Sequence, residues 1–145
     1  MYEQISAFFT IEMIYLWLSF GVIPFWFILI FFPQSKVCGL LATSIFPFLI
    51  LGSVYIYLVY YFFNTGYDFF ESFELYLGIY NLANLFENEA FLILIWTHFL
   101  AINLFCAAWI VRDSQKYFMP KYLNIMPLII TYFVGPVGIV IYWII

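Results

Sequence analysis

The chain has 145 residues, of which 68% are hydrophobic and only 8% charged, with a mean hydropathy of +1.08 and a formal net charge of -4. Soluble domains run at roughly 45–50% apolar and about 25% charged, so this composition excludes a water-soluble globule, and the acidic balance excludes a nucleic-acid surface. It reads as an all-α polytopic membrane protein. Each crossing takes roughly 20 apolar residues, so residues 1–145 are expected to form one transmembrane four-helix bundle with no room for a soluble domain.

In chain order, residues 1–10 are a short aromatic lead-in, without the basic leader and small-residue cleavage site of a signal peptide. Thr10, Ile11 and Glu12 then look like a helix start, with a hydroxyl cap and an acid in the first turn. Span one is expected over residues 12–32, kinked by Pro24 and stopped by Pro33. Gln34, Ser35 and Lys36 form a turn, and span two is expected over 37–63 with its own kink at Pro47 and an aromatic end rich in tyrosine.

Asn64-Thr65-Gly66 breaks the chain before a stretch in which Asp68, Glu71, Glu74, Gly78, Asn81 and Asn84 recur three or four apart, with Phe70, Phe73, Leu77, Tyr80 and Leu85 on another face. This predicts an amphipathic interfacial helix over 67–86, a lid or brace and not a further span. Span three follows over 90–111 and span four over 122–145, the latter with a glycine-flanked proline, Gly135-Pro136-Val137-Gly138, near its middle. All four basic residues, Lys36, Arg112, Lys116 and Lys121, fall in the first and third connections. With four crossings the positive-inside rule puts that face in the cytoplasm or its organellar equivalent and both termini on the other side.

Few residues are equipped for chemistry. Cys38 and Cys106 form no C-x-x-C motif and have no histidine at ligand spacing, so they read as reduced packing residues, and neither a metal nor a cofactor is expected. His98 is the only histidine, about nine residues into span three and so roughly 13 Å deep at 1.5 Å per residue. Hydrocarbon offers an imidazole no partner, so it either bonds a neighbouring helix, at a carbonyl freed by Pro24 or Pro136, or serves as a general acid or base facing the bundle interior. Glu12 is the nearest candidate carboxylate, and also reads as a first-turn interfacial acid. Asn103 is an interhelical hydrogen-bonding residue or a ligand contact. If the breaks at Pro24, Pro47 and Gly135-Pro136 converge, they line a pocket walled by Trp26, Phe46, Phe99, Phe105 and Phe133, suited to a large apolar molecule better than to an ion.

Four blocks carry a resemblance. They are Ile23-Pro24-Phe25-Trp26 with Pro33; Pro47 through Leu58; Trp96-Thr97-His98-Phe99-Leu100 leading to Asn103 through Ala108 and Asp113; and Phe133 through Gly138. In order and spacing they resemble the plant abscisic-acid-deficient-four family and its bacterial and algal relatives. The resemblance implies a four-span protein of a bacterial inner membrane or a plastid membrane, in the metabolism of carotenoids and tied in plants to neoxanthin synthesis from the epoxide violaxanthin. The family usually has aspartate where this chain has Asn103, and an amide cannot serve as a carboxylate base.

Two functions follow as expectations. One is an isomerase acting on a xanthophyll epoxide, with His98 as candidate acid or base and Trp26, Trp96, Asn103, Phe105, Gly135 and Pro136 as substrate contacts. The other is a non-catalytic pigment- or lipid-binding subunit of a membrane assembly. The expected partners are a carotenoid or another large apolar ligand, membrane lipid, and a further membrane protein.

Overall fold

A computed structural model describes residues 9–145. Among them the regular structure is helical: α1 (Ile11–Gly21), α2 (Ile23–Phe31), α3 (Lys36–Thr43), α4 (Phe46–Asn64), a 3-10 turn (Glu71–Tyr76), α5 (Ile79–Glu87), α6 (Glu89–Lys116), α7 (Lys121–Val134) and α8 (Pro136–Ile144). Among the described residues three stretches are long and apolar enough to cross a membrane, namely Ile11–Phe31, Phe46–Asn64 and Glu89–Lys116. The lead-in expected over residues 1–10 lies almost wholly outside the described residues.

The helix start expected at Thr10 holds, and Ser35 and Asn88 cap two further helices in the same way. Thr10 Oγ1 accepts the Met13 N–H at 3.3 Å, Ser35 Oγ accepts the Cys38 N–H at 3.0 Å, and Asn88 Oδ1 accepts the Ala90 N–H at 2.9 Å. Each satisfies a donor that has no partner within its helix. Proline acts as a restart more than as a kink. Pro24 and Pro47 both sit in the first turn of a new helix, where the missing N–H costs nothing.

α6 is the axis of the molecule and touches every other α-helix. In its most apolar window 56% of residues are buried, against 28% and 22% for the other two long stretches, whose remaining apolar side chains face outward as lipid-facing side chains would. Leu104, Ala107, Ala108, Ile110 and Val111 form its buried spine, and runs of small residues there let neighbouring backbones approach closely.

Three expectations need correction. Span two, expected as a continuous 37–63, is interrupted at Ser44 and Ile45: α3 is a separate short helix whose Gly39 lies 3.6 Å, counted from where a Cβ would stand, from the Gln115 side chain of α6. The interfacial helix expected over 67–86 is two pieces, a 3-10 turn and α5, divided by Gly78 at φ 133°, a conformation that side chains with a Cβ rarely adopt.

The third correction changes the topology. Residues 122–145 do not continue as one helix. α7 ends at Gly135, with φ 40° and ψ -99°, and α8 runs back along α7. A Cβ on Gly138 would overlap the Thr131 side chain and stand 2.6 Å from the Pro127 carbonyl oxygen, which fixes the two helices side by side. At the far end of α8, Tyr142 donates its hydroxyl to Asp113 Oδ2 at 2.9 Å, and Ile145 shares a cleft with Tyr117 and Met119.

That end of the molecule also holds the first connection. Gln115 Nε2 donates to the Pro33 carbonyl at 2.6 Å and Gln34 Nε2 to the Met119 carbonyl at 2.9 Å. The last residue therefore lies with the basic connections, and Ile11 and Glu12 lie at the opposite end beside Glu89. The expectation that both termini share one face assumed a continuous fourth crossing, and the hairpin removes that assumption.

Candidate functional site: an apolar groove between α1–α2 and α4

Every fourth or third residue of α1 and α2, Ile14, Leu18, Val22 and Phe25, falls on one stripe, the helical period placing them above one another. A second stripe on α4, Pro47, Leu51, Val54 and Tyr57, faces it, and Leu104 of α6 forms the floor. Between them lies a groove of about 410 Å³. At 1.5 Å per residue each stripe is roughly 15 Å long, so the space is elongated. Gly21 contributes room because it has no side chain and nothing within 4 Å of where a Cβ would stand.

Among the described residues Ser53 and Tyr57 are the only hydroxyl-bearing side chains lining the groove, and no charged one lines it. Ser53 donates its hydroxyl to the Leu49 carbonyl at 2.7 Å, which leaves the phenol of Tyr57 as the titratable group of this wall. Its ring packs against Phe9 at 5.9 Å and stacks on Tyr61 at 6.4 Å. Such a groove suits a long apolar molecule with a hydroxyl or ether near one end.

The residues singled out from sequence fall elsewhere. His98 is exposed on the outward face of α6, on one stripe with the exposed Ile102 and Phe105, and does not line the groove. Facing the bundle interior was the condition for its acid–base role, and the structure does not meet it. Trp26 is buried with its ring edge-on to Tyr132 at 5.1 Å, on the side of α2 away from the groove. Trp96 donates its indole N–H to Ser19 Oγ at 3.1 Å and stacks on Phe99, and Phe105 is exposed against Phe48.

Asn103, Gly135 and Pro136 do come together, at the tip of the α7–α8 hairpin. In a continuous helix the Tyr132 carbonyl would accept from residue 136, but that residue is proline and has no N–H. Asn103 Nδ2 donates to this carbonyl at 3.1 Å, while Asn103 Oδ1 occupies the space a Cβ on Gly135 would need. Asn103 is 2% exposed, so this is the expected interhelical hydrogen bond to a proline-freed carbonyl, made by the amide and not by His98. The convergence of three proline breaks on one pocket does not occur, because Pro47 lines the groove and Pro136 lies on another side of α6.

Sequence reasoning missed Leu18, Val54 and Tyr57. Their spacing was available, but so was the same spacing on every other face of helices that are apolar all round.

A family model described as ABA DEFICIENT 4-like matches residues 13–142. The chain belongs to that family. Among curated proteins it is similar to Protein ABA DEFICIENT 4, chloroplastic, of Arabidopsis thaliana, at 27% identity over 105 residues, covering 66% of this chain and 44% of that protein. This chain thus matches less than half the length of that ABA DEFICIENT 4 relative. No solved structure matches it. The family match covers all three membrane-length stretches almost entirely and the hairpin as far as Tyr142.

Proposed function

We propose that this chain is an integral membrane protein of xanthophyll metabolism that holds a polyene epoxide in the α1–α2/α4 groove and isomerises it. The observation that carries the reading is the groove itself: roughly 15 Å of apolar wall with one phenol at its edge, in a chain of the ABA DEFICIENT 4-like family. Conversion of an epoxide to an allenic alcohol is redox-neutral. One proton reaches the epoxide oxygen as its C–O bond breaks, and one leaves the adjoining polyene carbon as the allene forms, so no cofactor is needed. Tyr57 is the residue we assign to the first transfer, with a water taking the second proton.

The second reading, a non-catalytic pigment- or lipid-binding subunit, is favoured by the absence, among the described residues, of any charged side chain from the groove lining. Binding is common to both and is tested first. Val54→Trp fills the groove from α4 at a half-buried position and is expected to lower retention of a xanthophyll epoxide at least about tenfold, read by co-purification and absorbance of the extracted pigment. Undiminished retention in the folded variant would take the ligand out of this groove.

The basic end, with Lys36, Arg112, Lys116 and Lys121, is assigned to the cytoplasm or its organellar equivalent by the positive-inside rule. Because Ile145 lies at that end, single cysteines introduced as Phe118→Cys and Ile144→Cys, both highly exposed, are expected to label from the same side, and Tyr80→Cys from the other. The native Cys38 and Cys106 are buried and give little background. Labelling of Ile144→Cys together with Tyr80→Cys would mean a continuous last crossing.

A further inference from the structure

The break between α3 and α4 opens a second cavity, of about 380 Å³, that the groove does not reach and that no expectation anticipated. Its α6 wall is one stripe, Phe105, Ala108, Trp109 and Arg112, spaced three, one and three apart so that all four lie on one face. The opposite wall is Ala42, Thr43, Ser44, Ile45 and Phe48. The cavity is therefore polar at one end and apolar at the other.

The polar end is rich in donors. Arg112 is exposed and lines this space, and among the described residues it makes no ion pair and no side-chain hydrogen bond. Ser44 Oγ accepts the Phe46 N–H at 3.0 Å, which uses a lone pair and leaves its O–H free to donate. Thr43 spends its own hydroxyl proton on the Gly39 carbonyl at 2.8 Å. Among the described residues no carboxylate lines the cavity.

About 10 Å along α6 from Arg112, at 1.5 Å per residue, Phe105 meets Phe48 with ring centroids 6.2 Å apart. That separation matches a charged headgroup followed by the first part of an acyl chain. Trp109 between them is the kind of side chain that sits at headgroup level.

We infer that this cavity is a binding site for one anionic phospholipid, its phosphate held by the Arg112 guanidinium and the Ser44 hydroxyl and its acyl chain laid against Phe48 and Phe105. Arginine presents paired N–H groups that match two phosphate oxygens, and a site at the basic end of the bundle meets the leaflet whose anionic lipids such a face attracts.

The test uses the full chain, purified in a mild detergent and given equal amounts of phosphatidylglycerol and phosphatidylcholine, with bound lipid read by native mass spectrometry. Wild type is expected to retain phosphatidylglycerol at least about fivefold over phosphatidylcholine, and Arg112→Gln to abolish the preference. Lys116→Gln removes the same charge one turn further along α6, outside the cavity, and is expected to leave the preference intact.

Should Arg112→Gln fail to fold, Ile45→Glu sets a carboxylate on the exposed rim and is expected to abolish the preference in the same way. Equal loss in Lys116→Gln would mean that the whole basic face attracts anions, and equal retention of the two lipids by wild type would mean that there is no such site. Displacement of phosphatidylglycerol by millimolar inorganic phosphate would assign the site to a free ion and overturn the lipid. None of these readouts involves the α1–α2/α4 groove, so failure here and failure of the proposed function are separable.

Discussion

Tyr57→Phe is expected to lower the turnover of a xanthophyll epoxide by about 10²–10⁴-fold, the range associated with loss of a positioned acid, while pigment retention stays near wild type. The substitution removes one oxygen and keeps the ring, so the contact with Phe9 and the stacking on Tyr61 survive. No hydrogen bond within the described residues depends on the phenol, and Tyr57 is 40% exposed, so folding has no reason to suffer. The comparison that makes the result informative is His98→Gln. It changes an exposed side chain on the outward face of α6, away from the groove, and is expected to leave both turnover and retention unchanged. Measurement of epoxide loss and allene formation by chromatography, on stably inserted protein, decides between the two residues. Turnover retained by Tyr57→Phe and lost by His98→Gln would reverse the assignment, and pigment bound without turnover in wild type would leave the binding-subunit reading standing.

Gly138→Leu is expected to separate α8 from α7. The Cβ alone would stand 2.6 Å from the Pro127 carbonyl oxygen and 2.8 Å from Thr131 Cβ, and the first of these is backbone that cannot swing aside. Overpacking of this kind costs about 1–3 kcal/mol where the surroundings can relax. Here relief requires that the hairpin open, which also pulls Tyr142 from Asp113. The expected observations are a lower midpoint of thermal unfolding in detergent and a loss of the shared labelling of Phe118→Cys and Ile144→Cys. Gly52→Leu is the control: nothing lies within 4 Å of where its Cβ would stand, so its stability is expected to stay within about 0.5 kcal/mol of wild type. Equal destabilisation by both would mean that leucine bulk on any of these helices is harmful and would remove the special role of the Gly138 contact.

Membership of the family was legible from Pro24, Pro47, the Trp96-Thr97-His98 block and Gly135-Pro136, and it stands with the match over residues 13–142. Apart from Pro47, these motifs lie outside the lining of the groove. Pro24 and Pro47 start helices, Gly135 and Pro136 turn a hairpin, and Asn103 serves that hairpin by accepting the role of the missing donor at Tyr132. Residues that bend a chain are conspicuous in sequence, whereas residues that line an apolar groove look like every other apolar residue in a membrane protein.

By itself the sequence determined the solvent this chain folds in, the helix start at Thr10, and the gathering of positive charge into two connections, because hydropathy, capping and charge are local properties of the residues that carry them. Only the tertiary structure decided which face of each helix is inside. For a soluble helix the polar face marks the outside, but in lipid both faces are apolar, and His98 and Asn103 differ in fate only because α7 packs on one side of α6 and not on the other. It likewise decided that residues 136–144 return instead of crossing, since that outcome rests on the fit of Gly138 against Pro127 and Thr131, a contact between helices that no local pattern encodes.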